Sequence, residues 1–238
     1  MAILLLAALA AGPRAGFIAA GATATSAPAS TAQTPDDALR AEGERWWTRS
    51  PDPRNPVACA TCHHDPALTR GWAAGFPKVK PLPPPHTRVM TLLQANAEAV
   101  ARHYRVADPR PAATAITAYL TGEGAGLPIS PGASPGQPVF PERIRDLARS
   151  VKRGERLFGR RCQQCHRESV VAPSVRAFPR ARDGRVESLE SFLERHGSPA
   201  RPLAWDGPDM ADLVAYAVSH LAGQPVGRQR DRTTKEKP

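Results

Sequence analysis

Aromatic side chains are scarce in this sequence: Phe, Trp and Tyr together make up 5% of its 238 residues. A core filled mainly by large rings is thereby excluded, yet 41% hydrophobic content is enough for a packed interior and excludes disorder throughout. Something other than aromatic side chains is expected at the centre of the fold. Long apolar runs are missing too. The longest uncharged one, residues 2–11, is about half of what crosses a bilayer, so a polytopic membrane protein is ruled out. Acidic residues are in the minority, 22 against 32 basic ones, for a formal charge of +10. Of the basic residues 27 are arginines spread over most of the chain, with no block interleaved with aromatics, so no nucleic-acid partner is expected. Cysteine is limited to four residues. Glycine and proline, by contrast, number 18 and 26, rich for a compact enzyme of this length.

What is present begins with a targeting segment. Residues 2–11 read as the apolar region of a secretory signal, and Ala22-Thr23-Ala24 has the small-residue form of a cleavage site. Residues 1–24 are expected to send the chain to the periplasm, either cleaved off or kept as a tether that permits peripheral membrane association.

The four cysteines fall into two copies of one pattern, Cys59-Ala-Thr-Cys62-His63 and Cys162-Gln-Gln-Cys165-His166, with none left over. C-x-x-C-H is the attachment signature of c-type haem. Two thiols two residues apart can add to the two vinyl groups of the macrocycle, and the adjacent histidine is then held beneath the iron as the proximal ligand. The pattern implies two covalently bound haem c groups, held by Cys59, Cys62, Cys162 and Cys165, with His63 and His166 on the irons. A zinc ribbon would place its pairs roughly 15 to 20 residues apart, whereas Cys62 and Cys162 are separated by 100 positions. A thioredoxin-like redox pair needs a βαβ context that these proline-rich surroundings do not offer. Structural disulfides leave the histidine after each pair unexplained.

A repeat surrounds the motifs. Gly43-Glu44-Arg45-Trp46-Trp47 precedes the first and Gly154-Glu155-Arg156-Leu157-Phe158 the second, while helical stretches holding Tyr119 and Tyr216 close the two halves. A glycine on the first helix of each half lets the last helix approach closely, with an aromatic packed on each side of the crossing. This arrangement resembles the class I cytochrome c fold, in which the N- and C-terminal helices cross beside a haem whose attachment motif follows the first helix. The resemblance implies an all-α chain of two tandem cytochrome c-like domains, residues 35–122 and 141–223. They are joined by a Pro/Gly-rich extended linker, residues 123–140, and followed by a disordered basic tail, residues 224–238. Covalent haem would staple units too small to be stable alone and would account for the missing rings.

The sixth iron position decides between electron transfer and open-site chemistry. In the fold that the chain resembles, the usual distal ligand is a Met on the loop before the last helix. Apart from Met1 the sequence offers only Met90 and Met210. Met210 lies on the 3.6-period apolar face of the last helix, and His196 precedes that helix, so His196, Met210 or an open site remain for the second haem. The segment from Gly71 through the proline run to His86, with Met90 and Ala101-Arg-His-Tyr104, resembles SHP-type cytochromes. These keep a proline-rich loop ahead of a polar, displaceable distal residue, which implies His86, with Met90 as the alternative. His103 and His220 read as ordinary helix residues, and His64, beside His63, cannot reach the opposite haem face.

These features lead to the expectation of a periplasmic dihaem cytochrome that passes single electrons between redox proteins and has no catalytic residues of its own. The alternatives are a dihaem peroxidase or a haem subunit of a dehydrogenase, and a gas-binding protein with a labile distal ligand. Dihaem peroxidases share the two motifs but are longer and space them more widely. Arg160, Arg161 and Arg167 bracket the second motif, so its partner is expected to offer an acidic docking face. Unequal loops and distal candidates predict unequal potentials for the two haems.

Overall fold

A computed structural model describes residues 34–81, 87–166, 175–182, 184–196 and 202–227. The expected signal at residues 1–24, His86, Arg167 and the tail from residue 228 lie outside the described residues. Helix α1 (Pro35–Thr48) starts where Thr34 accepts the Asp37 amide at 3.1 Å, with Pro35 in the first turn and Asp36 and Asp37 at the positive end of the helix dipole. Its buried stripe of Leu39, Gly43 and Trp47 meets α6 (Arg110–Glu123). In the second half α7 (Pro141–Arg161) meets the last helix, here α9 (Pro208–Ser219), in the same way.

The glycines make both crossings possible. A Cβ on Gly43 would stand 2.0 Å from the Ala115 carbonyl oxygen and 2.8 Å from Tyr119 Cβ; one on Gly154 would stand 1.9 Å from the Asp212 oxygen and 2.8 Å from Tyr216 Cβ. The aromatics sit as the repeat implied, Trp47 6.1 Å from Tyr119 and Phe158 5.5 Å from Tyr216 between ring centroids. At the second crossing Asp212 is buried but fully answered. Ser150 Oγ donates to it at 2.5 Å, and the Arg153 guanidinium grips both its oxygens at 2.6 and 2.8 Å.

Between first and last helix the halves follow one plan. In the first, single turns α2 (Cys59–Cys62), α3 (Pro66–Thr69) and α4 (Trp72–Gly75) lead through Phe76-Pro77 to an antiparallel hairpin, β1 (Lys78–Pro81) with β2 (Thr87–Met90). Helix α5 (Leu92–Tyr104) follows, its start closed by reciprocal Thr91 and Gln94 bonds of 3.2 Å. In the second, Phe178-Pro179 leads to β3 (Arg180–Arg182) and β4 (Arg185–Glu187), and then to α8 (Leu189–His196), where Ser188 Oγ accepts the Ser191 amide at 3.0 Å. The two hairpins depart from an all-α chain. The first hairpin is buried at its base, at Lys78, Val79, Val89 and Met90, without alternation, and three- and four-residue runs are too short to announce themselves by period.

Each hairpin packs against the opposite half, the first buried and the second half-exposed. Val79 and Val89 pack with Leu147, Ala211 and Ala215 of α7 and α9, while the Ala181 amide of β3 donates to Asp36 of α1 at 2.7 Å and Ala181 rests on Leu39, Ala115 and Ala118. Gln94 Nε2 adds bonds of 3.1 Å to the carbonyls of Trp205 and Gly207. The described residues accordingly fall in one compact unit.

The Pro/Gly-rich segment joins the halves, but it is a folded strap and not an extended linker. Its amides and carbonyls need partners once it lies on the surface of both halves. Ser130 N donates to Ala74 O at 2.7 Å, Gly132 N to Gly75 O at 2.9 Å, and Ile129 N to Gln224 O at 2.8 Å. Gly132, at φ +85, makes the turn that permits this. The last bond also corrects the start of the tail, because residues 224–227 are held, with Val226 N donating to Leu127 O at 2.9 Å. Among the described residues no helix is long and apolar enough to cross a membrane.

Candidate functional site

Each C-x-x-C-H motif closes into one tight turn with the same bond: the amide of its histidine donates to the carbonyl of its first cysteine at 2.9 Å, His63 to Cys59 and His166 to Cys162. In both, the first cysteine is half-buried and the second exposed, and all four thiols are free. The turns lie in different halves, so the cysteines do not gather into one four-thiolate site. Among the described residues no group of three or more His, Cys, Asp or Glu converges as a metal cage.

The first motif is fastened from α5. Tyr104 Oη accepts the Cys59 amide at 3.1 Å, lies 3.3 Å from Cys59 Sγ, and donates to the Trp46 carbonyl at 2.7 Å. Burial pushes the Cys59 thiol above its ordinary value, and burial next to Cys59 does the same to the Tyr104 hydroxyl. His63 is flanked by two indoles, Trp72 edge-on at 4.8 Å and Trp47 at 6.1 Å. Partial burial, then the positive charge of Lys80 and that of His103, hold its imidazole below the usual value. The shift favours the neutral form, the one that can offer a lone pair to a metal. Behind Trp72 a buried cation, Lys78, stands 4.6 Å over Phe76 and donates to Ser134 Oγ at 3.0 Å.

The second motif grows directly out of α7, with Cys162 capping the helix through a 2.8 Å bond to Phe158 O. His196 comes to it from the last turn of α8. The His166 and His196 Nε2 atoms face one another at 3.3 Å, with ring centroids 5.5 Å apart. Phe192, one turn earlier on α8, stacks on His196 at 4.9 Å and 16° and is itself backed by Phe178. The pair therefore enters from two elements, His196 from the last turn of α8 and His166 from the motif turn that follows α7. Metal–imidazole bonds of about 2 Å on both sides ask for about 4 Å between such nitrogens, so the rings need part by less than 1 Å. Two imidazoles alone leave a metal short of ligands. With two thiols beside them, one half-buried and one at the surface, the set fits a planar tetradentate macrocycle attached by its edge.

The other candidates are placed differently. Met210 is fully buried among Phe158, Leu203 and Tyr216, and Met90, 1% exposed at the end of β2, is part of the packed interior. Both have the surroundings of core residues. His64 is exposed, and His220 lies edge-on to Tyr216 at 4.7 Å. Residue patterns gave no role to Tyr104, Trp72 or Phe192. Their part is to position a cysteine or a histidine, and it shows only when distant segments meet.

No family model matches the chain, and no curated protein matches it. Among solved structures, a chain of the crystal structure of SoxXA from P. pantotrophus superimposes with a TM-score of 0.62, covering 81% of this chain and 76% of that one at 15% identity. The fold is cytochrome c-like. Crossing helices, a motif turn after the first of them and a capped helix before the last are the parts of that fold which hold the histidines described above.

Proposed function

We propose that the chain is an exported dihaem c-type cytochrome, one haem in each half, that carries single electrons between redox proteins. The observation that carries this reading is the opposed pair His166 and His196 beside Cys162 and Cys165. Haem bound in such a site supplies a one-electron iron couple. Cys59, Cys62, Cys162 and Cys165 supply the thioether sulfurs, and His63 and His166 are the proximal ligands. His196 is the distal ligand of the second site, held in orientation by Phe192. Met210 keeps its place in the core. Trp47 and Trp72 flank the first histidine and fix its ring. The second cysteine of each motif is exposed, which supports a haem edge reachable by a partner within electron-transfer distance. Helix α7 carries exposed Arg145, Lys152, Arg156 and Arg160 up to the second motif, which supports docking by an acidic face.

His196→Ala tests the reading in the full chain matured in a periplasm. The reduced variant is expected to bind one carbon monoxide per chain while the wild type binds none at the second site. A variant that retains the wild-type spectrum and excludes carbon monoxide there would remove His196 from the iron.

A further inference from the structure

We infer that His103, and not His86 or Met90, is the distal ligand of the first haem; the inference rests on the dihaem reading above. The two halves place a capped helix at the same point, after the hairpin and before the last helix. Thr91 caps α5 and Ser188 caps α8, each accepting an amide three residues on, at 3.2 and 3.0 Å. His196, which meets the second proximal histidine, stands eight positions beyond Ser188. Eight beyond Thr91 is Ala99, which has nothing to offer a metal. One helical turn further along the same exposed face is His103, in the last turn of the longer α5.

The end of α5 is also where the first motif is anchored. Asn55 Nδ2, from the loop ahead of Cys59, donates to the His103 carbonyl at 2.9 Å, and the next residue, Tyr104, binds the Cys59 amide at 3.1 Å. Met90, by contrast, is sealed in the core. Lys80 of β1, a nitrogen-bearing side chain of the same half, is the comparison in the test.

The test uses the full chain matured in a periplasm, with intact mass, low-temperature electron paramagnetic resonance of the oxidised state and carbon monoxide difference spectra of the reduced state. His103→Ala, a change at an exposed position, is expected to keep two haems by mass. One low-spin signal should give way to a high-spin one, and one carbon monoxide should bind per chain. His103→Met is expected to stay low-spin and to raise one of the two midpoint potentials, as a thioether ligand does relative to imidazole. Two haems with wild-type spectra in His103→Ala would overturn the assignment, as would the same spectral loss appearing in His86→Ala or Lys80→Ala instead. A first haem already open to carbon monoxide in the wild type would overturn it as well. Fewer than two haems in the wild type would overturn the dihaem reading itself, and intact mass separates that failure from the others.

Discussion

Gly154→Ala sets two well-understood effects against each other. Inside an exposed helix the change would stabilise by about 0.5–1 kcal/mol, because alanine loses less backbone freedom on folding. At the α7–α9 crossing the new Cβ would stand 1.9 Å from the Asp212 carbonyl oxygen and 2.6 Å from its carbon, both backbone atoms that no rotamer change can move aside. The helices must separate by more than 1 Å to reach an ordinary contact of about 3.4 Å. Separation pulls Asp212 from Ser150 and Arg153 and loosens Phe158 from Tyr216. Overpacking of this kind costs about 1–3 kcal/mol and sometimes more, so the net expected effect is a loss of about 2 kcal/mol. In a chain of this length that corresponds to a fall in Tm of roughly 4–8 °C. Gly159→Ala on the same helix is the control. Its nearest neighbour would be the mobile end of Gln163 at 3.5 Å, and it should gain a few tenths to 1 kcal/mol. Thermal unfolding of both variants as holoproteins, followed by far-ultraviolet circular dichroism, separates the effects. Equal stabilisation by the two substitutions would refute the close approach at Gly154, and Gly43→Ala checks the same reasoning at the first crossing.

Lys78 is buried without a carboxylate partner among the described residues, and burial, helped by Lys80 and Arg143, lowers its pKa from 10.5 to about 8. Between those values the unfolded chain holds a proton that the folded chain has released, so stability should rise with pH across that window and be lowest below it. Lys78→Met should flatten this dependence and stabilise the protein at neutral pH by at most about 3 kcal/mol, as read from urea midpoints; a variant less stable at neutral pH would show that the contacts to Ser134 and Phe76 outweigh the buried charge. Electron exchange with an acidic cytochrome should slow with added salt, and Arg156→Glu with Arg160→Glu should lower its rate at low ionic strength by about tenfold or more. Stopped-flow rates indifferent to both changes would remove α7 as the docking surface.

The parts of the molecule legible in the sequence are those fixed by short-range chemistry. C-x-x-C-H needs its spacing within one turn, and Gly43 and Gly154 mark the crossings because any larger residue would collide with backbone. The hairpins were not legible. Lys-Val-Lys and Arg-Ala-Arg are too short and too charged to read as strands, and they form strands where Val79 and Ala181 meet residues of the opposite half. The strap at residues 124–138 has the composition of a loose linker, and its bonds to Ala74, Gly75 and Gln224 come from surfaces far away in the chain. Distal ligands are the hardest case. His86 and Met90 stand out through the proline run beside them, whereas His103, which we propose for the first haem, looks like any histidine on an amphipathic helix until α5 is seen to end against Cys59.

The central claim is that both motifs carry covalent haem. Intact mass of the full chain, matured in a periplasm and measured after denaturation so that only covalent groups remain, tests it most directly. The expected mass is that of the polypeptide plus two haems, with one haem lost when Cys59 and Cys62 are both replaced. A chain carrying one haem or none, or releasing its haem on denaturation, would contradict the account.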